Sequence, residues 1–256
     1  MKRLFLVLAA VAGLAAAVRA DNGGVHSRFD RDASVPESLW AWNDPVPWRA
    51  GIVVGRAVRK IKVGRADCDW TADSAEAVLA VAPWGWVELY GRAGGNHAHL
   101  ERGAFSARTD VGAGGALGLK LNVWEIGPEH DTAAWRVTIG LQGEYAWRTG
   151  KERHGMEAEW GETYFCIPVN YHLSFHGTQR SSYATEAHAL DMFVGPACSL
   201  LDGEWTENGT DFSFREHQAW GFAGGLRIWL VPSLGIEGAL AWFDSASYLA
   251  GVQYRV

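Results

Sequence analysis

Trp135-Arg136-Val137-Thr138-Ile139-Gly140-Leu141-Gln142-Gly143-Glu144-Tyr145-Ala146-Trp147-Arg148 alternates without a break. Trp135, Val137, Ile139, Leu141, Gly143, Tyr145 and Trp147 hold one parity; Arg136, Thr138, Gly140, Gln142, Glu144, Ala146 and Arg148 hold the other. Side chains on a strand point to opposite faces with period two, so this segment has one oily, aromatic-ended face and one charged face. It is longer than an ordinary globular strand and suits one that crosses a bilayer at a tilt.

On either side of it the chain breaks into further segments of strand character separated by turn chemistry. Strands are expected over residues 51–63, 74–82, 86–94, 112–124, 132–148, 159–175, 187–200, 212–230, 234–243 and 247–256. Ten is an even number, as a bacterial barrel with both termini on one side requires; eight and twelve are the alternatives. Connections 83–85 and 231–233 are very short and suit periplasmic hairpins. Segments 95–111, 150–158 and 201–211 are longer and polar and suit outward loops. Two connections sit awkwardly: 176–186 is long for a periplasmic turn, and 244–246 is short for an outer loop.

Lys2 and Arg3 precede an uncharged apolar run over residues 4–17, and Val18-Arg19-Ala20 offers a cleavage site before Asp21. Residues 1–20 therefore read as an export signal, too short in its apolar run for a spanning helix. No Cys follows the cut, which argues against a lipoprotein. Residues 21–50 are polar, with Pro36, Pro45, Pro47, Trp40, Trp42 and Trp48, and read as a periplasmic lead-in with a short helix near 38–42. The barrel is expected over 51–256.

The mean hydropathy is that of a water-soluble chain. It is uninformative for a barrel, because half of each strand faces a polar interior. The 14 Trp suit membrane interfaces and the 31 Gly suit a crowded, curved wall. A net charge of −6 leaves no basic patch for nucleic acid. Cys68, Cys166 and Cys198 are too few for a disulfide framework in an exported chain; Cys166 and Cys198 are a pair only if their strands are neighbours, and isolated wall thiols otherwise.

Gly251-Val252-Gln253-Tyr254-Arg255-Val256 resembles the C-terminal β-signal by which bacterial outer-membrane barrels are recognised for assembly, with Val256 where the family usually ends in Phe. Tyr248, Ala250, Val252, Tyr254 and Val256 alternate with Leu249, Gly251, Gln253 and Arg255. Val87-Glu88-Leu89-Tyr90-Gly91-Arg92 after a Pro-Trp-Gly turn has the same look. With the export signal, the chain past residue 50 resembles the small bacterial outer-membrane β-barrel proteins, without matching a named subfamily. The resemblance implies an all-β, antiparallel up-and-down transmembrane barrel in the outer membrane. It also implies outer-membrane lipids and the barrel-assembly machinery as partners, Gly251, Tyr254 and Val256 as assembly signal, and no cofactor. Architecture of this kind does not settle activity.

On the fifth, eighth and tenth strands the lipid-facing set is apolar, Trp220, Phe222, Gly224, Leu226, Ile228 and Leu230 on the eighth. Trp86, Trp124, Trp135, Trp229 and Trp242 fall near strand ends, where an aromatic girdle sits. The opposite face collects Glu88, Arg92, Lys120, Asn122, Arg136, Gln142, Glu144, Arg148, Arg227, Glu237, Gln253 and Arg255. Two readings compete: a narrow, slightly basic pore that favours anions, or a plugged lumen in which these charges pair. A barrel of eight to ten strands holds little beyond its own side chains, which favours the plug.

His172-Leu173-Ser174, with Glu186 beyond the next turn, resembles outer-membrane lipid hydrolases of the phospholipase and lipid A deacylase kinds. These carry His-x-Ser on one strand and an acidic or amide partner on its neighbour; the Asn that usually follows the Ser is Phe175 here. Such spacing lets the His accept the Ser proton while the third group holds the imidazole. Parity, however, turns His172 and Ser174 to the lumen. Pro168 cannot donate a ladder bond, so a bulge that shifts this parity is expected there, and Pro196 raises the same point on the next strand. His97-x-His99 and the acidic run Asp202, Glu204, Glu207, Asp211 and Glu216 lack convergent ligand spacing and read as hydrated surface, leaving no metal site. No phosphate loop, dinucleotide fingerprint or zinc-protease motif is present. The reading leans away from an enzyme, toward a structural or surface-binding membrane protein, with the narrow pore second and the hydrolase third. A secreted soluble barrel needs an outer face that water tolerates, and the fifth strand's is not one.

Overall fold

A computed structural model of the chain describes residues 48–64, 66–84, 86–102, 105–126, 135–174, 189–231 and 234–255. The segment expected as an export signal, the helix expected near 38–42, Glu186 and Val256 lie outside the described residues; of the lead-in expected over 21–50 only residues 48–50 are described, and they are strand, not lead-in. Thirteen strands form: β1 (Trp48–Val63), β2 (Ala66–Trp84), β3 (Val87–Arg102), β4 (Phe105–Arg108), β5 (Asp110–Ile126), β6 (Trp135–Arg153), β7 (Met156–Cys166), β8 (Val169–Ser174), β9 (Ala189–Glu207), β10 (Thr210–Glu216), β11 (Trp220–Val231), β12 (Leu234–Trp242) and β13 (Ala246–Arg255). β4 with β5, β7 with β8 and β10 with β11 are single staves interrupted once, since the members of each pair share a neighbour. That leaves ten staves among the described residues, each antiparallel to its neighbours, and β13 returns to pair with β1 from Arg49↔Arg255 to Arg56↔Tyr248. The sheet is a closed up-and-down barrel, and closure removes the edges that an open sheet exposes.

The expected outward loops are strand. β3 runs on to Arg102 and folds back through β4; β6 turns directly into β7 at His154-Gly155; β9 turns into β10 at Asn208-Gly209. Both of these two-residue turns carry positive φ at both positions (53° and 79°, 49° and 79°), the type I′ geometry that Gly and Asn accept most readily. These stretches read as polar because their charged side chains face out, while Ala98, Leu100, Ala158, Trp160, Leu201 and Trp205 are buried inside.

The short connection at 244–246 also has a cause. β13 releases β1 at Arg56, and β1 continues beyond it to pair with β10 at Ile61↔Glu216 through Val63↔Phe214. Ten staves at the end bearing the termini thus become eight at the hairpin end. Side chains seal the junction: Ser247 Oγ accepts from Val58 N (3.0 Å) and Asp244 Oδ2 accepts from Lys60 N (2.9 Å). The segment expected as one strand over 212–230 is split here. Six residues from Arg215 to Trp220 oppose five from Asp202 to Cys198, so the one extra residue lies between β10 and β11.

No bulge forms at Pro168. Cys166↔Ala197 passes to Val169↔Val194, three residues on each strand, so parity continues. Pro168 sits where its carbonyl still accepts from Gly140 N (2.8 Å), and Pro196 accepts from Ile167 N (3.1 Å). Cys166 and Cys198 are on neighbouring strands but face opposite sides, because Phe165, not Cys166, is the partner of Cys198. Adjacent parity prevents their pairing.

Polarity along the staves reverses between the two ends. Toward the termini the outer face is apolar, with Ile52, Val194, Phe222, Leu240 and Trp242 each at least 60% exposed. At about 3.3 Å per residue and roughly 45° of tilt, the run from Trp135 to Trp147 rises roughly 28 Å, the thickness of a bilayer's hydrocarbon core. Toward the hairpins the pattern inverts. β2 turns Cys68, Trp70 and Ala72 inward and leaves Asp67 and Asp69 exposed; β9 buries Leu201 and Trp205 and exposes Asp202 and Glu204. The inward set forms one apolar cluster, in which Trp70 stands edge-on to Trp160 (4.9 Å) and Phe214 (5.6 Å).

Candidate functional site: the charged lumen

Directly beneath that cluster a belt of ion pairs crosses the lumen. Arg59 on β1 reaches Glu216 (3.1 Å) and, across the barrel on β7, Glu162 (3.6 Å). Glu162 also takes Arg148 (3.6 Å) and the Ser199 hydroxyl (2.9 Å). Arg148 continues to Glu76 (3.1 Å), which binds Arg92 (3.1 Å); Arg92 pairs with Glu144, which accepts from the Tyr90 hydroxyl (2.8 Å). Glu76 and Arg59 are 1% and 4% exposed, so the belt is a buried ion-pair network rather than a solvated ring. Buried charges persist only when paired in this way.

A second network lies nearer the termini. Arg49 pairs with Glu88, which also takes Lys120 (3.6 Å). Arg49 donates to Gln253 (3.0 Å), Gln253 donates to Glu237 (2.5 Å), and Glu237 holds Arg227 (2.7 Å). The last strand explains its glycine at this level: a Cβ on Gly251 would stand 2.6 Å from Val53 Cγ1 and 2.9 Å from Ile52 O, so the closing seam requires none. Tyr248, Val252 and Tyr254 alternate outward as expected, and Gln253 is buried.

The structure brings Glu88, Arg92, Lys120, Glu144, Arg148, Arg227 and Glu237 together in the lumen. Arg136 and Arg255 occupy inward register positions opposite His172 and Arg49; their side chains are outside the described residues. Sequence reasoning missed Arg59, Glu76, Glu162, Glu216 and Asp191. Arg59 sits in a basic run and Glu76 among alanines on both parities, so neither stretch shows a clean period; only counting parity from Val53 or from Trp70 finds them.

His172 holds the lumen register and hydrogen-bonds Asp191 through Nδ1, and Trp229 Nε1 donates to the other oxygen of Asp191 (2.9 Å). Asp191, directly opposite on β9, is thus the acidic partner that the structure describes, and Ser174 stands opposite Ala189 on the same lumen-side parity. Trp229 is 2% exposed and inside the barrel, not in the outer girdle; it shares parity with Arg227, opposite to Trp220 and Phe222. Trp135 and Trp242 are exposed on the outer face, and Trp86 packs on a cluster of Val87, Leu121 and Leu141. His97 and His99 point outward beside Asp73 (3.2 Å) and Ser106 (2.9 Å). Of the acidic run, Asp202, Glu204 and Asp211 are exposed, while Glu216 belongs to the belt. Among the described residues no three His, Cys, Asp or Glu converge as a metal site would need.

No protein-family model and no curated protein matches the chain. Among solved structures it is similar to the translocator domain of the autotransporter NalP from Neisseria meningitidis, at 10% identity and a TM-score of 0.41 over 85% of this chain and 91% of that one. It is also similar to the transport unit of the autotransporter AIDA-I from Escherichia coli, at 11% identity and a TM-score of 0.41 over 95% and 98%. Values this low carry no argument about activity. By its own hydrogen-bonded ring and its apolar outer belt, the chain is a β-barrel of the outer-membrane type.

Proposed function

We propose that this chain is a non-conducting outer-membrane barrel with a structural or surface-binding role. The reversal of polarity along the staves carries the reading. An oily outside with a charged inside needs lipid around it, whereas a charged outside around an apolar core needs water. The hairpin end is therefore a rigid, water-exposed head, and binding falls to its walls rather than to long loops. Outer-membrane lipids contact the belt, and the alternating last strand is what the assembly machinery reads. Lumen charges are spent on each other beneath an apolar ceiling, which supports a plug. The test is reconstitution of the full chain into planar bilayers: the plug predicts no discrete openings, and reproducible single-channel steps would replace it with the narrow pore.

A further inference from the structure

The lumen is not filled: a chamber of about 580 Å³ remains, running from the network near the termini past the ion-pair belt to Trp70, Trp160 and Leu201 of the apolar cluster, within the size range of small-molecule sites. Its two sides differ. β1, β2 and β12 line it with small apolar positions such as Gly55, Ala57, Ala72, Ala239 and Ala241, while β3, β5 and β6 present long polar side chains such as Tyr90, Arg92 and Lys120. The long side chains are already engaged with Glu144, Glu76 and Glu88. Arg59 Nε and Arg92 Nε also lack a hydrogen-bond partner, although both guanidiniums are ion-paired, and three uncharged polar atoms near the ceiling are not engaged at all. Both side-chain atoms of Asn96 (1% exposed) and the Nε1 of Trp70 (4% exposed) are buried without a hydrogen-bond partner among the described residues, and both residues line the chamber. Ser74 also lines it, standing opposite Asn96 on β3 and Gly55 on β1. Buried polar groups in folded proteins are nearly always paired, so an unpaired indole and carboxamide along one chamber mark what its occupant must supply.

Charge narrows the occupant. The belt sets Arg59, Arg92 and Arg148 against Glu76, Glu144, Glu162 and Glu216, and the network nearer the termini sets Arg49, Lys120 and Arg227 against Glu88 and Glu237, so the two together balance in charge and each cation is ion-paired. An anion would meet no free cation there. We infer that the chamber is a binding site for an uncharged amphipathic small molecule. Its apolar body lies against the small-residue wall, and its hydroxyl groups accept from Trp70 Nε1 and exchange hydrogen bonds with Asn96 and Ser74. This goes beyond the closed-barrel reading, which the conductance trace tests separately.

An aryl glycoside has this chemistry. Equilibrium dialysis of the full chain in lipid nanodiscs against 4-nitrophenyl β-D-glucopyranoside, with empty nanodiscs as blank, should show one saturable site per chain. The anionic counterpart 4-nitrophenyl phosphate should bind at least about tenfold more weakly, and Asn96→Leu should weaken the glucoside about tenfold. Ala239→Trp, or Ala241→Phe as a second filling variant, should abolish binding, with heat-modifiable gel migration reporting that each is folded. Absence of saturable glucoside binding would mean that water alone meets these groups and would overturn the proposal. So would equal binding of the phosphate, or undiminished binding in a folded filling variant.

Discussion

Glu76→Leu is expected to lower the unfolding free energy by about 3–5 kcal/mol, read from urea titrations of tryptophan fluorescence in detergent micelles or lipid. Glu76 accepts Arg92 (3.1 Å) and Arg148 (3.1 Å) at 1% exposure. Leucine matches its bulk but leaves Arg92 Nη1 and Arg148 Nε without the carboxylate they share, while Arg92 keeps only Glu144 and Arg148 only Glu162. Removing one partner of a buried pair costs far more than the pair itself contributes, because the remaining charge keeps its desolvation penalty. Asp73→Asn is the control: its pair with Arg56 lies on the outer wall, and the unfolding midpoint should stay near that of the parent. A Glu76→Leu loss below about 1 kcal/mol would mean that water enters the belt, and the plug would fail with it.

Val194→Arg is the second large effect. Val194 is 60% exposed on the outer face of β9, opposite Val169 and Gly224. A guanidinium placed there near the middle of the belt should cost about 2–4 kcal/mol in lipid. Glu204→Arg, on the same face of the same strand but at the hairpin end, should cost almost nothing. Equal costs at the two sites would show that the oily belt and the charged head share one solvent.

The Trp135–Trp147 alternation and that of the last strand were legible because each keeps one polarity per face for its whole length. Closure, antiparallel order and ten staves follow from such segments and their spacing. The head was illegible for the same reason inverted. Ala98, Leu100 and Trp205 face inward among outward His97, His99 and Glu204, so a rule that places charge inside and oil outside reads these stretches as loop. Asn208-Gly209 was the local signal that could have corrected this, since Asn-Gly between alternating residues is a hairpin signature. Pro168 misled in the other direction. Losing one donor does not force a bulge where the prolyl carbonyl keeps its own bond to Gly140.

Half of the lumen network could be read from parity alone: Glu88, Arg92, Lys120, Glu144, Arg148, Arg227 and Glu237 stand on strands whose outer faces are apolar. The rest needed three dimensions. Arg59 meets Glu162 across the barrel and Glu216 across a junction that exists only because the β12–β13 hairpin stops short. Asp191 finds His172 through a register set by β8 and β9 together. Trp229 obeys the parity rule, and only its position near a strand end suggests the girdle.

A membrane-embedded barrel with a water-exposed head fixes where β9 leaves lipid. Nitroxide labels at positions 192, 194, 196, 198, 200, 202 and 204, in a chain lacking its three native Cys, report collisions with oxygen in lipid and with a water-soluble nickel chelate outside it. Oxygen should dominate from Met192 to Leu200, and the chelate should take over at Asp202 and Glu204. Chelate access along the whole row would contradict a membrane-embedded barrel, and oxygen access through Glu204 would contradict its water-exposed head.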